Sequence, residues 1–273
     1  MNNTSLNKAY VTVLTSASYL MGCVALDRSL KTVNSKYPLI VVCPDSIDKS
    51  VLASLETYGI QYSTMENLPA NILSRDNNIG YWNNTLFKIK VFDLISFEKI
   101  VFLDTDMIIL NNIDHLFDYK HMSAVAAGAV LFPEWSEGIN SGLMVIVPNH
   151  DIYLELVDNI EPAYNYRESI GLGFGDQDII KRVYPNWGKE KELHLPEKYN
   201  TMLGYGGCLK AAGEINSFDD IFVYHFTGKE KPWNKGLKNH LIILLKIFKR
   251  AKLRSGIDIS AYKRFRKILK AVM

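Results

Sequence analysis

The chain has 273 residues, of which 48% are hydrophobic and 22% charged, with 9 prolines and 17 glycines; this balance excludes a disordered, fibrous or low-complexity protein and an integral membrane protein. At this length a single elaborated α/β domain is expected rather than two. Lys and Arg number 31 against 29 Asp and Glu, a net charge of +2, yet 11 of the bases and one acid, Asp258, lie from Leu237 onward, so a body of −8 carries a tail of +10.

The elements alternate along the first half. Ala9–Thr15 is β-branched and apolar, Tyr19–Leu30 has helical spacing, Tyr37–Cys43 reads as a buried strand closed by Pro44, and Lys49–Tyr58 reads as a helix. This βαβα order predicts a doubly wound, mostly parallel sheet. Segment 64–83 is polar and Asn-rich, the composition of an active-site loop. A helix is expected over Thr85–Ser96, followed by the strongest strand pattern, Lys99–Leu103. Strands at Ser123–Ala127 and Gly138–Val147 and helices at Asp151–Asn159 and Asp176–Tyr184 follow. Cys23, Cys43 and Cys208 show no CxxC spacing, so neither a disulfide framework nor a zinc site is expected. The opening residues lack the pattern of a signal peptide, and the apolar run Leu241–Leu245 stops at Lys246, far short of a bilayer span.

Asp104-Thr105-Asp106 follows the apolar strand IVFL. Ligands of open α/β sheets bind beyond the carboxyl ends of the strands, and alternate residues of an extended segment share a side, so both carboxylates can face one ligand. Two hard oxygen donors suit Mg²⁺ or Mn²⁺. On its own the triplet is equally well a polar turn. A second cluster, VYHFTGKEKPW at 223–233, adds an imidazole, a glycine and a lysine; His225 would favour Mn²⁺, and Lys231 could neutralise a diphosphate.

With these two clusters the sequence resembles the glycogenin-like retaining glycosyltransferases, which include galactinol synthases and bacterial lipopolysaccharide glucosyl- and galactosyltransferases. The resemblance covers roughly residues 8–235 and rests on ordered motifs: AYVTVLTSASYLMGCVALDRSL, LFKIKVFDLISFEKIVFLDTDMIILNNIDHLFD, INSGLMVIVP, GFGDQDII, LPEKYN and HFTGKEKPW. It implies a GT-A fold that binds a UDP-sugar through a divalent ion, Mn²⁺ with Mg²⁺ as the alternative. Asp104, Asp106 and His225 would be the metal ligands, with Asp104 and Thr105 also on the nucleotide side. Thr15, Ser16 and Tyr19 would cradle uridine, Tyr19 stacking on the uracil. Gly228 and Lys231 would hold the diphosphate, Lys88 would lie near the donor sugar and phosphate, and Asn140, Ser141, Asp176 and Gln177 would bind the sugar. Asp176, Gln177 and Lys88 are the catalytic candidates.

The chemistry asks for such a set. Glycosyl transfer must stabilise a diphosphate leaving group and an oxocarbenium-like sugar, so cations are needed on one side and carboxylate or amide oxygens on the other. Asp178 is read as a helix cap, and the competing reading of Lys88 is a solvated helix face. The family's transfer retains the anomeric configuration; with no evident nucleophile, same-face attack by the acceptor is expected, with the UDP oxygen accepting its proton. Gln177 would steady the developing charge.

Two departures from glycogenin separate this chain from it. Gly173 stands where glycogenin has an aspartate, and the position of its self-glucosylated tyrosine falls on Gly207, with Tyr205 nearby. A separate saccharide or lipid-linked acceptor, in cell-surface polysaccharide or lipopolysaccharide synthesis, is therefore expected. Self-glucosylation and an inactive sugar-nucleotide or membrane-binding module are the alternatives.

The body is assigned to residues 1–236 and a basic amphipathic tail to 237–273. In the tail Ala261, Tyr262, Phe265, Ile268, Leu269, Val272 and Met273 fall on one helical arc and bases on the other. That pattern fits an anionic membrane interface, hence a cytoplasmic protein peripheral on the inner face; the competing reading is a helix packed on the body. Nucleic acid is not expected, because no recognition motif accompanies the charge.

Overall fold

A computed structural model describes residues 7–68, 85–128, 137–234, 236–250 and 256–271. Its main sheet has seven strands in the order β3-β2-β1-β4-β7-β6-β8. These are β1 Lys8–Val13, β2 Leu39–Pro44, β3 Gln61–Met65, β4 Lys99–Leu103, β6 Ala124–Ala126, β7 Ile139–Ile146 and β8 His194–Leu195. β1, β2, β3 and β4 run parallel, whereas β7 runs against β4 and β6. The chain winds outward from β1 through β2 to β3 and then returns to β1's other side as β4. That reversal opens a crevice beyond the carboxyl ends of β1 and β4, where Thr15, Ser16 and Asp104–Asp106 lie.

Helices cover both faces of the sheet because its central strands are buried along their length. On one face lie α1 Leu20–Thr32 and α2 Lys49–Thr57, whose Val24, Leu26, Val51 and Leu55 meet Tyr10, Val41 and Val101. On the other, α3 His150–Asp158, α4 Ile160–Ser169 and α5 Asp176–Val183 pack with Phe92, Phe102 and Met144. The helix expected over 85–96 is instead a 3-10 run, Phe87–Asp93. Every residue from Phe87 to Phe92 is buried, so the segment has no solvent face for a 3.6-residue period to describe. Of the expected loop at 64–83, residues 64 and 65 belong to β3, and 69–83 lie outside the described residues. Cys23, Cys43 and Cys208 are free and buried.

A second sheet is ordered β5-β10-β9, from β5 Met107–Ile109, β9 Thr201–Met202 and β10 Val223–His225. β5 emerges directly from Asp106, and β10 pairs antiparallel with it so that His225 lies opposite Met107. Pairing thus brings together two motifs 119 residues apart in the chain.

The tail departs from expectation. It forms α7 Leu237–Arg250 and α8 Ile257–Lys270, with α6 Gly206–Ala211 beneath α8. The arc of Ala261, Tyr262, Phe265, Ile268 and Leu269 exists, but it is buried in the protein, sharing a cluster with Tyr224, Phe226 and Trp233; Val272 and Met273 lie outside the described residues. Phe265 meets Phe226 edge-on at 5.1 Å and lies 6.0 Å from Trp233. Buried Asp258 accepts hydrogen bonds from the Tyr224 hydroxyl (2.6 Å) and the Gly204 amide (2.9 Å). The residues after 236 thus pack on the body through α8, whose apolar arc is an internal surface. α7 behaves differently: Ile243 and Ile247 are buried, but Leu237, Leu241, Leu245 and Phe248 are 48–74% exposed. No helix among the described residues is long and apolar enough to cross a membrane.

Candidate active site

Asp104, Asp106 and His225 present ligand atoms that all lie within 4.8 Å of one another. His225 Nε2 is 3.0 Å from Asp106 Oδ1 and 3.8 Å from Asp104 Oδ2. Its Nδ1 lies 2.9 Å from the Asn200 side-chain amide, which orients the ring and leaves Nε2 turned to the carboxylates. Two carboxylates and an imidazole oriented by a buried amide make a donor set that fits a divalent ion. Close backbone approach makes room for it. A Cβ on Gly142 would lie 2.9 Å from His225 Cε1, and one on Gly22 would lie 2.5 Å from the Thr105 carbonyl oxygen.

Two buried lysines flank these acids. Lys88 Nζ lies 2.9 Å from Asp104 Oδ1 and 3.1 Å from Asp176 Oδ2, and donates to Ser141 Oγ at 3.2 Å. The solvated-face reading of Lys88 is thereby corrected, since the side chain is buried between two acids of distant elements. Burial alone would pull its ammonium down, but Asp104 and Asp176 outweigh that and hold its pKa above the ordinary lysine value. Lys231 pairs with Asp106 Oδ2 and donates to the Phe226 carbonyl at 3.2 Å. Burial is again outweighed, by Asp106, and the Lys231 pKa is raised. In turn, His225 and Lys231 overcome the effect of burial on Asp106 and hold its carboxyl well below the usual range, while burial pushes Asp104 up.

Asp176 is buried, and its Oδ2 is held in the ion pair with Lys88. Gln177 follows it in the first turn of α5, exposed. Asp178 accepts from the Gly175 amide at 2.9 Å and closes the helix start as expected. Asn140 is turned inward, its Oδ1 accepting from the Gly142 amide at 3.0 Å.

On the nucleotide side Ser16 caps the turn Ala17–Tyr19 and Thr105 is buried. Tyr19 meets Trp233 edge-on at 5.5 Å, and Lys231 Nζ is 5.7 Å from the Tyr19 ring centroid. Trp233 Nε1 donates to the Ser18 carbonyl at 2.7 Å, tying the 223–233 motif to the end of β1. Gly228 has φ +106°, a conformation that favours glycine. Four residues here went unassigned at the level of sequence: Gly22, Gly142, Asn200 and Asp258. A glycine inside a helix pattern and a single acid in a basic tail were the available signals for the first and last.

A doubly wound sheet bearing a DxD at the carboxyl end of β4, with an imidazole delivered beside it, defines a GT-A glycosyltransferase. Residues 10–236 match the family described as Glycosyl transferase family 8, and the chain belongs to that family. A putative UDP-glucuronate:xylan alpha-glucuronosyltransferase 3 of Arabidopsis thaliana is 28% identical over 234 residues, 83% of this chain and 34% of that protein. Glycogenin-1 of Homo sapiens is 29% identical over 238 residues, 84% of this chain and 63% of its own. The chain thus spans a third to two thirds of these relatives. The structure of the galactosyltransferase LgtC with donor and acceptor sugar analogs shares the fold, with a TM-score of 0.62 at 16% identity over 96% of this chain and 95% of that one.

Proposed function

We propose that the protein transfers a hexose, glucose or galactose, from a UDP-sugar to a saccharide or lipid-linked acceptor with retention of configuration, in cell-surface polysaccharide or lipopolysaccharide synthesis. The observation that carries this reading is the convergence of Asp104, Asp106 and His225 with Lys88, Lys231 and Asp176. Bound at the first three residues, Mn²⁺ would supply the positive charge a diphosphate leaving group needs. Lys231 adds a second cation against that diphosphate, and Asp176 supplies a carboxylate on the sugar side as positive charge develops. Lys88 fixes Asp104 and Asp176 relative to each other, so that cation and sugar sites keep one geometry.

The test is UDP release with Mn²⁺ from UDP-glucose, UDP-galactose, UDP-N-acetylglucosamine and UDP-glucuronic acid. Turnover of a hexose donor that Asp106→Asn abolishes is expected; equal release by both forms with every donor would overturn the reading. Self-glucosylation is disfavoured by Gly207, which is buried and has no side chain to modify; a mass increase in hexose steps with donor alone would restore it.

For location, we propose peripheral attachment to the inner face of the membrane through α7, whose exposed Leu237, Leu241, Leu245 and Phe248 lie among the bases of the tail. Liposome co-sedimentation should fall on Leu241→Glu with Leu245→Glu. Unchanged binding to anionic vesicles would reject this route.

A further inference from the structure

α7 turns two faces to different surroundings. Its exposed stripe looks away from the protein, while Asn239, Ile243, Lys246 and Ile247, spaced by four, three and one residues, lie on the other side. Ile243 and Ile247 bury this face, and Asn239 Nδ2 donates to the Lys231 carbonyl at 2.9 Å and the Asn234 carbonyl at 3.3 Å. The helix is therefore fastened to the segment that carries Lys231.

Lys246 reaches the same segment two turns further along the helix. Its ammonium pairs with Glu230 Oε2 and stands 3.6 Å from the point a Cβ on Gly228 would occupy. Gly228 is exposed, at φ +106°, and with no side chain there a ligand lying against the glycine comes within reach of the ammonium. Lys231 and Lys88 are each engaged with buried acids of the site. The ion pair of Lys246 with Glu230 is partly exposed on both sides, 29% and 26%, so it costs less to exchange than the buried pairs of Lys231 and Lys88. A phosphate offers a stronger acceptor than a single partly buried carboxylate.

We propose that Lys246, from the C-terminal helix, binds the diphosphate of the nucleotide donor over Gly228, with Glu230 as its resting partner. This rests on the reading that the diphosphate lies along residues 226–231. Glu230 then competes with the donor for the ammonium, and α7 is part of the donor site as well as the face offered to the membrane.

Calorimetric titration of UDP in the presence of Mn²⁺, with uridine as the control ligand, tests this on the full chain. Lys246→Met should weaken UDP about fivefold and leave uridine unchanged, because uridine has no phosphate; Lys246→Arg should restore UDP binding. Glu230→Gln should leave UDP affinity unchanged or tighter, and the double variant should stay as weak as Lys246→Met. Wild-type affinity in Lys246→Met would overturn the proposal. So would weakening by Glu230→Gln with recovery in the double variant, which would make Lys246 only the counter-ion of Glu230. Should Lys246→Met not fold, weaker UDP binding by Glu230→Gln alone would decide against the proposal. Absence of UDP binding by the wild type would remove the diphosphate reading itself, and with it this one.

Discussion

Asp106 meets the His225 imidazole on one oxygen and the Lys231 ammonium on the other. A divalent ion at the same carboxylate must contend with the Lys231 ammonium, and a diphosphate gives that ammonium somewhere else to go. Lys231→Met should therefore bind Mn²⁺ alone about tenfold more tightly while binding UDP more weakly, the opposite signs being the point of the measurement. Paramagnetic relaxation of water protons reads the first and calorimetry the second. The acids and the histidine were legible in the sequence as candidates, because DxD after an apolar strand and HFTGKEKPW are dense in chemistry. Their mutual ion pairs were not, since the sequence does not show which lysine meets which acid.

Helix α1 approaches the DxD loop so closely that the backbone of Gly22 lies against the Thr105 carbonyl and the Trp233 ring. Gly22→Ala would place a Cβ 2.5 Å from that oxygen, and backbone cannot yield as a flexible side chain can. A stability loss of about 1–3 kcal/mol is expected, together with weaker Mn²⁺ binding, measurable by denaturant unfolding and metal titration. Asp114 ties β1 to the turn before β2: it accepts from the Tyr10 hydroxyl (2.8 Å), Ser35 Oγ (2.8 Å) and the Lys36 amide (3.0 Å). Burial opposes its ionisation, but these donors win and its pKa is lowered. A depressed carboxyl contributes stability above its unfolded pKa, about 3.9, and loses it as pH falls through the folded value. Wild type and Asp114→Asn should therefore differ in unfolding free energy at neutral pH and converge in strong acid. Strands and long helices were readable from period, whereas the 3-10 run Phe87–Asp93 was not, because a segment buried all round carries no amphipathic signal.

Across the molecule, the tail is where pattern and packing part company. The apolar arc of α8 was read correctly as an arc, and a basic amphipathic helix looks the same in sequence whether a lipid or a protein covers it. Here Phe226, Trp233 and Tyr224 cover it, and Asp258 secures it. Asp258→Ala would leave the buried Gly204 amide and Tyr224 hydroxyl unpaired. About 2–4 kcal/mol of stability should go with it, along with Mn²⁺ affinity, since Tyr224 precedes His225 in β10. Thermal unfolding and metal titration on one preparation check both. Removal of residues 237–273 would accordingly damage the site as well as any membrane contact, so point changes on the exposed stripe of α7 are the cleaner probe.

The sequence alone determined the family, the doubly wound core and the acid, histidine and lysine types of the site, because strand period and compact motifs are local properties. The tertiary structure decided which of them meet. The winding of β4 back beside β1 put Thr15 and Asp104 on one crevice, and the pairing of β5 with β10 put His225 against Asp106. The tail's division into a buried helix and a two-faced one was also decided there, because a hydrophobic stripe records that something covers it, and only packing says what.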